Sequence, residues 1–201
     1  MSDLSTLAPF VHGYVRETEA TLEAPYLLEA MDSIVPILLR ARSDDRTIFF
    51  FGNGGSASTA SHFVTDIAKV AGGTESRGPG HRFRCVALND NTPGLTAWAN
   101  DTDYSRVFAG PLRGLAAKGD VAVAISGSGN SPNVLEGVRA AKELGLTTIG
   151  LTGMGGGKLK DLVDVAVVVP SNSMQHTEDL HLIVCHMLTA YLRDHQPSPP
   201  R

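Results

Sequence analysis

Apolar positions along this chain follow two periods. Residues 4–22 and 24–43 carry them at helical spacing: in LLEAMDSIVPILLRA, Leu27, Met31, Ile34, Ile37 and Leu38 fall on one face. From residue 47 the pattern turns to short unbroken runs: TIFFF (47–51), FRCVAL (83–88), DVAVAI (120–125), TTIGLTG (147–153) and VDVAVVVP (163–170). Each reads as a buried strand. Helical spacing returns between them, over about 57–70, 93–117 with a break near Asn100, and 132–144, and a last helix covers about 174–193. Strands without polar alternation are covered on both faces, and strand–helix alternation builds a parallel sheet. The pattern predicts one α/β domain over residues 1–201, a three-layer α/β/α arrangement around a five-stranded, mostly parallel sheet. The helices of residues 4–43 precede it, and the Pro-rich tail, 194–201, is expected to fray.

Two of the strands end alike. FFFGNGGSAS and VAISGSGNSPN each place Gly and Ser where a strand gives way to a helix, the ligand-binding edge of an open parallel sheet. A helix N-terminus offers free N–H groups and the positive end of the helix dipole, so an anion is stabilised there. Glycine lets the backbone approach closely, and serine adds donors in little space. Ser131 suits a helix N-cap, and Pro132 suits the first helical position. Plain turns favour the same residues, but two such loops in one small domain point to a phosphate. Neither loop carries Gly-Lys-Ser/Thr and GNGGSA lacks the GxGxxG spacing, which argues against a nucleotide cofactor. A hydroxyl-lined cradle without lysine suits the monophosphate of a small molecule.

Other polar residues reach the same edge. Asn53 and Gly54 belong to the first loop. Asp90 and Asn91 follow the FRCVAL strand and are candidates for substrate hydroxyls, although Asn-Asp-Asn also makes a turn. The loop holding Arg77, His81 and Arg82 reads either as a neighbour of the phosphate or as exposed, and Lys158 and Lys160 read as surface.

Composition narrows the partners. The 201 residues are 42% hydrophobic and 19% charged, with a net charge of −4 and no long basic run, so neither nucleic acid nor a membrane surface is expected as the main partner. The two cysteines, Cys85 and Cys185, lie in apolar stretches and read as reduced thiols rather than a disulfide. No signal or membrane-spanning pattern is present, and a cytoplasmic location is expected.

FFGNGGSASTASHF, ALNDNTPGLTAWAND, AISGSGNSPNV and LTGMGGGKL together resemble the sugar isomerase (SIS) domain proteins, most of all their phosphoheptose isomerase branch. The resemblance implies interconversion of sedoheptulose 7-phosphate and D-glycero-D-manno-heptose 7-phosphate, a step towards lipopolysaccharide-type heptose. It further implies a homotetramer with active sites at subunit interfaces, and phosphate held by Ser56, Ser126, Ser128 and Ser131. Where the family usually has Thr this chain has Gly127, whose backbone N–H can still donate. The alternative is a non-catalytic SIS protein that binds a sugar phosphate or a partner such as a replication initiator. Scaffolds of that kind lack the last-helix histidine, which is present here as His186. An SIS-type transcription regulator is disfavoured because no helix-turn-helix segment accompanies the domain.

The chemistry is expected on two helices. His62 and Asp66 are four residues apart and share a face; Gln175, Glu178 and His186 lie near one side of the last helix, with His181 turned away. Aldose–ketose exchange through an enediol needs one group to carry a proton between neighbouring carbons and another to manage the hydroxyl and carbonyl protons. Asp66 and His186 suit those tasks, and His62, Asp66, Glu178 and His186 form a candidate set for one zinc ion per subunit. By resemblance, Asp66 replaces the usual Glu, Glu178 the usual Gln, and Gln175 a substrate-contacting Asp. Glu178 and His186 are about 12 Å apart along a helix, so both meet one ion only with extended side chains or help from a neighbouring subunit. His12, His176, His181 and His195 read as structural or surface residues.

Overall fold

The computed structural model describes residues 4–71 and 82–195; Arg77, His81 and the chain beyond His195 lie outside the described residues. After a 3-10 turn at Leu4–Thr6 come α1 (Leu7–Leu22), α2 (Tyr26–Ser43), β1 (Thr47–Gly52) and α3 (Gly55–Thr65), which widens into a π-helical turn over Asp66–Ala71. Then follow β2 (Arg84–Ala87), α4 (Thr92–Asp101), a 3-10 turn (Tyr104–Arg106), α5 (Ala109–Leu115), β3 (Val121–Ser126) and α6 (Pro132–Glu143). The chain closes with β4 (Thr147–Thr152), α7 (Leu159–Leu162), β5 (Val165–Val168) and α8 (Met174–Asp194).

All five strands are parallel, in the order β2-β1-β3-β4-β5. Strand alternation sends Ile48 and Phe50 to one face and Phe49 and Phe51 to the other. On the first face β1 packs under α2, α3 and α8 through Ile34, Leu38, Phe63, Val184 and Leu188. On the second, α5, α6 and α7 cover the sheet through Leu112, Val134, Val138 and Leu159. Phe50 meets Phe63 edge-on at 5.1 Å, and Phe51 lies 5.1 Å from Phe108. The three-layer reading and the strand count are those expected from the apolar runs. In the helical region expected over 93–117, the break expected near Asn100 comes after Asp101, a 3-10 turn separates the two helices, and α7 was not foreseen because four residues carry no period to read.

From β1 the chain steps to β2 on one side of the sheet and, through β3, to β4 and β5 on the other. Ligands gather at such a switch point, outside the carboxyl ends of the two central strands. The loops after β1 and β3 are the two Gly/Ser loops. Among the described residues no helix is long and apolar enough to cross a membrane.

Candidate active site

The two loops face one another across a cavity of about 120 Å³ lined by Asn53, Ser56, Ser126, Ser128 and Ser131, with Met174 and Glu178 on its α8 side. Helices α3 and α6 both begin here, and their first-turn N–H groups have no acceptor inside the helix. Gly54 holds φ at 54° at the start of α3, a conformation that a side chain would strain. Gly129 turns the second loop at φ 64°, its N–H donating to the Ser126 carbonyl at 3.0 Å. Ser126 is buried with its Oγ 3.2 Å from Ser131 Oγ, and Ser128 Oγ accepts from the Asn130 N–H at 3.2 Å. Hydroxyls and two helix N-termini thus converge on one small space. That arrangement suits a tetrahedral dianion.

A reciprocal amide pair locks the loops together. Asn53 Nδ2 donates to Asn133 Oδ1 and Asn133 Nδ2 to Asn53 Oδ1, each at 2.8 Å, and Tyr104 Oη donates to Asn53 Oδ1 at 3.2 Å. Asn89 ties the ends of β1 and β2, donating to the Gly52 carbonyl at 2.6 Å. Sequence reading missed Asn89, Tyr104 and Asn133, because their partners lie 37, 51 and 80 residues away and no local signal marks them. The Asn53 amide is therefore engaged in holding the loops while its residue still lines the cavity.

Along α3 and α8 the ionisable residues separate into two places. His62, Asp66 and His186 come together, with ligand atoms all within 4.8 Å of one another. The two Nε2 atoms are 2.9 Å apart, and Asp66 Oδ2 lies 3.3 Å from His62 Nε2 and 3.7 Å from His186 Nε2. Tetrahedral zinc with bonds of ~2.0 Å separates its ligands by ~3.3 Å. The three distances straddle that value, so this donor set, two imidazoles and a carboxylate, fits zinc with one position left open. Both histidine side chains are about half exposed, at 48% and 50%.

Glu178 stands apart from these three. Its carboxylate packs on the first turn of α3, where a side chain at Gly55 would meet its Oε2 at 2.5 Å, and it borders the serine-lined cavity. The reason is the helical rise: eight residues separate it from His186, about 12 Å. A carboxylate at a helix N-terminus is favourably placed against the dipole. Gln175 is exposed and accepts from the Ser173 hydroxyl at 3.3 Å, outside the cavity lining. Asn91 caps α4, accepting from the Gly94 N–H at 3.0 Å, and Asp90 accepts from the Ser61 hydroxyl. Asn91 thus does the local turn chemistry noted from sequence, whereas Asp90 ties its loop to α3, 29 residues away.

The remaining histidines of α8, His176 and His181, are buried in the interior. His176 is buried beneath the Tyr14 ring, 3.9 Å between centroids, with Nδ1 3.3 Å from Glu17 Oε1 but out of hydrogen-bond alignment. His181 is 1% exposed; burial pushes its imidazole down to about 4, and a backbone interaction with Thr152 opposes this less strongly. Cys85 and Cys185 are free thiols, and burial pushes both upward, Cys85 to about 12. A larger cleft of about 500 Å³, beside Arg40, Arg46 and Thr147, opens at the opposite end of the strands. It is away from both Gly/Ser loops and from the three clustered ligands.

Known proteins share this architecture. The SIS domain family matches residues 13–153. The chain is 40% identical to the phosphoheptose isomerase of Aliarcobacter butzleri over 80% of its own length and 82% of the relative's. It is 38% identical to that of Helicobacter pylori strain 26695 over 88% of each. The solved structure of the phosphoheptose isomerase from Neisseria gonorrhoeae superposes with a TM-score of 0.83 at 31% identity, covering 94% of this chain and 99% of that one. With a five-stranded parallel sheet, two Gly/Ser loops at its switch point and these relatives, the chain belongs to the SIS domain family, in its phosphoheptose isomerase branch.

Proposed function

We propose that the protein isomerises sedoheptulose 7-phosphate to D-glycero-D-manno-heptose 7-phosphate, with the phosphate in the serine-lined cavity and the reacting carbons beside His62, Asp66 and His186. The observation that carries this reading is a length. Ser56 borders the cavity, and His62 lies six residues further along the same helix, about 9 Å of rise. An extended seven-carbon chain with a terminal phosphate spans about 10 Å from phosphorus to C1, given carbon–carbon bonds of ~1.5 Å. A three-carbon phosphate is too short to touch both places. The relatives named phosphoheptose isomerase support the same substrate class.

His62, Asp66 and His186 would hold a zinc ion, one per subunit, which when bound supplies a Lewis acid for the carbonyl oxygen. That set uses one nitrogen of each histidine and one oxygen of Asp66. The second Asp66 oxygen and the second ring nitrogen of His186 remain chemically available. We assign Asp66 the carbon-bound proton, taken from C1 of the ketose and returned to C2, and His186 the proton that passes between the two oxygens. Ser56, Ser126, Ser128 and Ser131 with the N–H groups of Gly54 and Gly127 hold the phosphate and fix C1 and C2 at the other end. Asn53 supports that cradle through Asn133. Asp90, Asn91 and Gln175 remain candidates for substrate hydroxyls only if their present hydrogen bonds exchange.

A homotetramer with sites completed at subunit interfaces agrees with the outer face of α1, where Leu7, Phe10, Val11 and Val15 are all exposed. The half-exposed histidines also leave room for a neighbour's side chain. Free thiols agree with a cytoplasmic location. The direct test of the cradle is the double substitution Ser126→Ala, Ser128→Ala. It is expected to raise KM for the heptose phosphate at least tenfold while the thermal transition keeps its cooperativity. An unchanged KM overturns the phosphate assignment.

A further inference from the structure

Residue 127 has no side chain, and the space is taken. A β-carbon there would collide with Met174 Sδ and would lie 3.4 Å from Met174 Cε. Met174 is the first residue of α8; its backbone is fixed by the Ser173 cap, whose hydroxyl accepts from the His176 N–H. Its side chain is 37% exposed and borders the same cavity as Ser126, Ser128 and Ser131. Four serines, with Asn53 and the Glu178 carboxylate, supply the polar part of that lining, whereas a thioether carries no donor and attracts a phosphate oxygen poorly. It offers instead a soft, adaptable apolar surface.

We propose that Met174 is a specificity-determining residue: admitted by the missing side chain at Gly127, its thioether packs against the C–H face of the phosphate-bearing carbon. This rests on the reading of the cavity as a sugar-phosphate site. Met174 then separates a phosphate monoester from free phosphate. The serines and helix N-termini bind the dianion in either ligand, and only the ester has a carbon to bury against the thioether. Gly127 and Met174 form one unit, because any side chain at 127 displaces the thioether that gives the discrimination. A flexible methionine can move aside, so the displacement costs selectivity rather than folding.

The experiment compares the affinity of the full chain for sedoheptulose 7-phosphate and for inorganic phosphate by calorimetry. The proteins are the wild type, Met174→Ala, Met174→Leu, Gly127→Thr, the pair Gly127→Thr with Met174→Ala, and Ser126→Ala as the cradle control. Met174→Ala is expected to weaken the sugar phosphate roughly tenfold, about the loss of one buried thioether surface, and to leave inorganic phosphate within about twofold. Met174→Leu, which keeps the volume, recovers most of the loss. Gly127→Thr reproduces the Met174→Ala signature, and the pair loses no more than either alone. Equal losses for both ligands, no loss with Met174→Ala, or losses that multiply in the pair overturn the proposal. If the wild type binds neither ligand, or Ser126→Ala changes neither, the phosphate-site reading has failed and the proposal goes with it. A thermal transition recorded for each variant identifies any that does not fold, and Met174→Leu keeps the question open to refutation in that event.

Discussion

At the scale of single residues, the shorter acid of the metal-type cluster is the sharpest case. Asp66 has one methylene fewer than Glu, yet its Oδ2 reaches both histidine nitrogens, at 3.3 and 3.7 Å. Asp66→Asn removes the charge without changing the shape. It is expected to weaken zinc binding at least tenfold, read by competition with a chromophoric chelator, and to lower kcat by ~10²-fold or more. Zinc affinity within twofold of wild type would remove Asp66 from the ligand set. His62, Asp66 and His186 were legible as a group because spacing and resemblance both pointed to them. Glu178 was expected among the metal ligands, but the packing of α8 on α3 sets its carboxylate against Gly55, bordering the serine-lined cavity and apart from the other three. Met174 was invisible, because a methionine at a helix start carries no signal of its own.

At the scale of elements, α8 joins the site to the core. Its buried face carries Val184, Leu188 and Leu192 against the sheet and also His181, whose ring nitrogens make no hydrogen bond of ordinary geometry. Burial holds that imidazole neutral, at about 4 against 6.5 for a free histidine. Between those values the unfolded chain binds a proton that the folded chain refuses. The stability is therefore fully present above pH 6.5 and falls as pH drops towards 4, by about 2 kcal/mol on reaching pH 5. Urea midpoints measured from pH 7 to pH 5 should show this slope, and His181→Leu should flatten it; equal slopes in the two proteins would contradict the assignment. The central strands were readable because their apolar runs are buried on both faces; β2 and β5, at the sheet edges, are partly exposed and were read from their Val-containing runs alone. The π turn at Asp66–Ala71 was not, since its sequence is that of an ordinary helix and only the hydrogen-bond register differs.

At the scale of the whole molecule, one helix joins the serine-lined cavity to the histidine–aspartate cluster. The order of strands brings the loops after β1 and β3 side by side, and α3 runs from the serine-lined cavity to the histidine–aspartate cluster, about 9 Å of helical rise from Ser56 to His62. The sequence carried the two loops, the parallel sheet and the paired histidines, all of them local patterns. It did not carry the Asn53–Asn133 lock, whose partners lie 80 residues apart. The decisive experiment is incubation of the zinc-loaded protein with sedoheptulose 7-phosphate, followed by NMR for the aldose, beside a His186→Ala control. Aldose formed by the wild type and lost at least a hundredfold in the control is the predicted result. Ligand bound without aldose, or turnover that survives in the control, would contradict it.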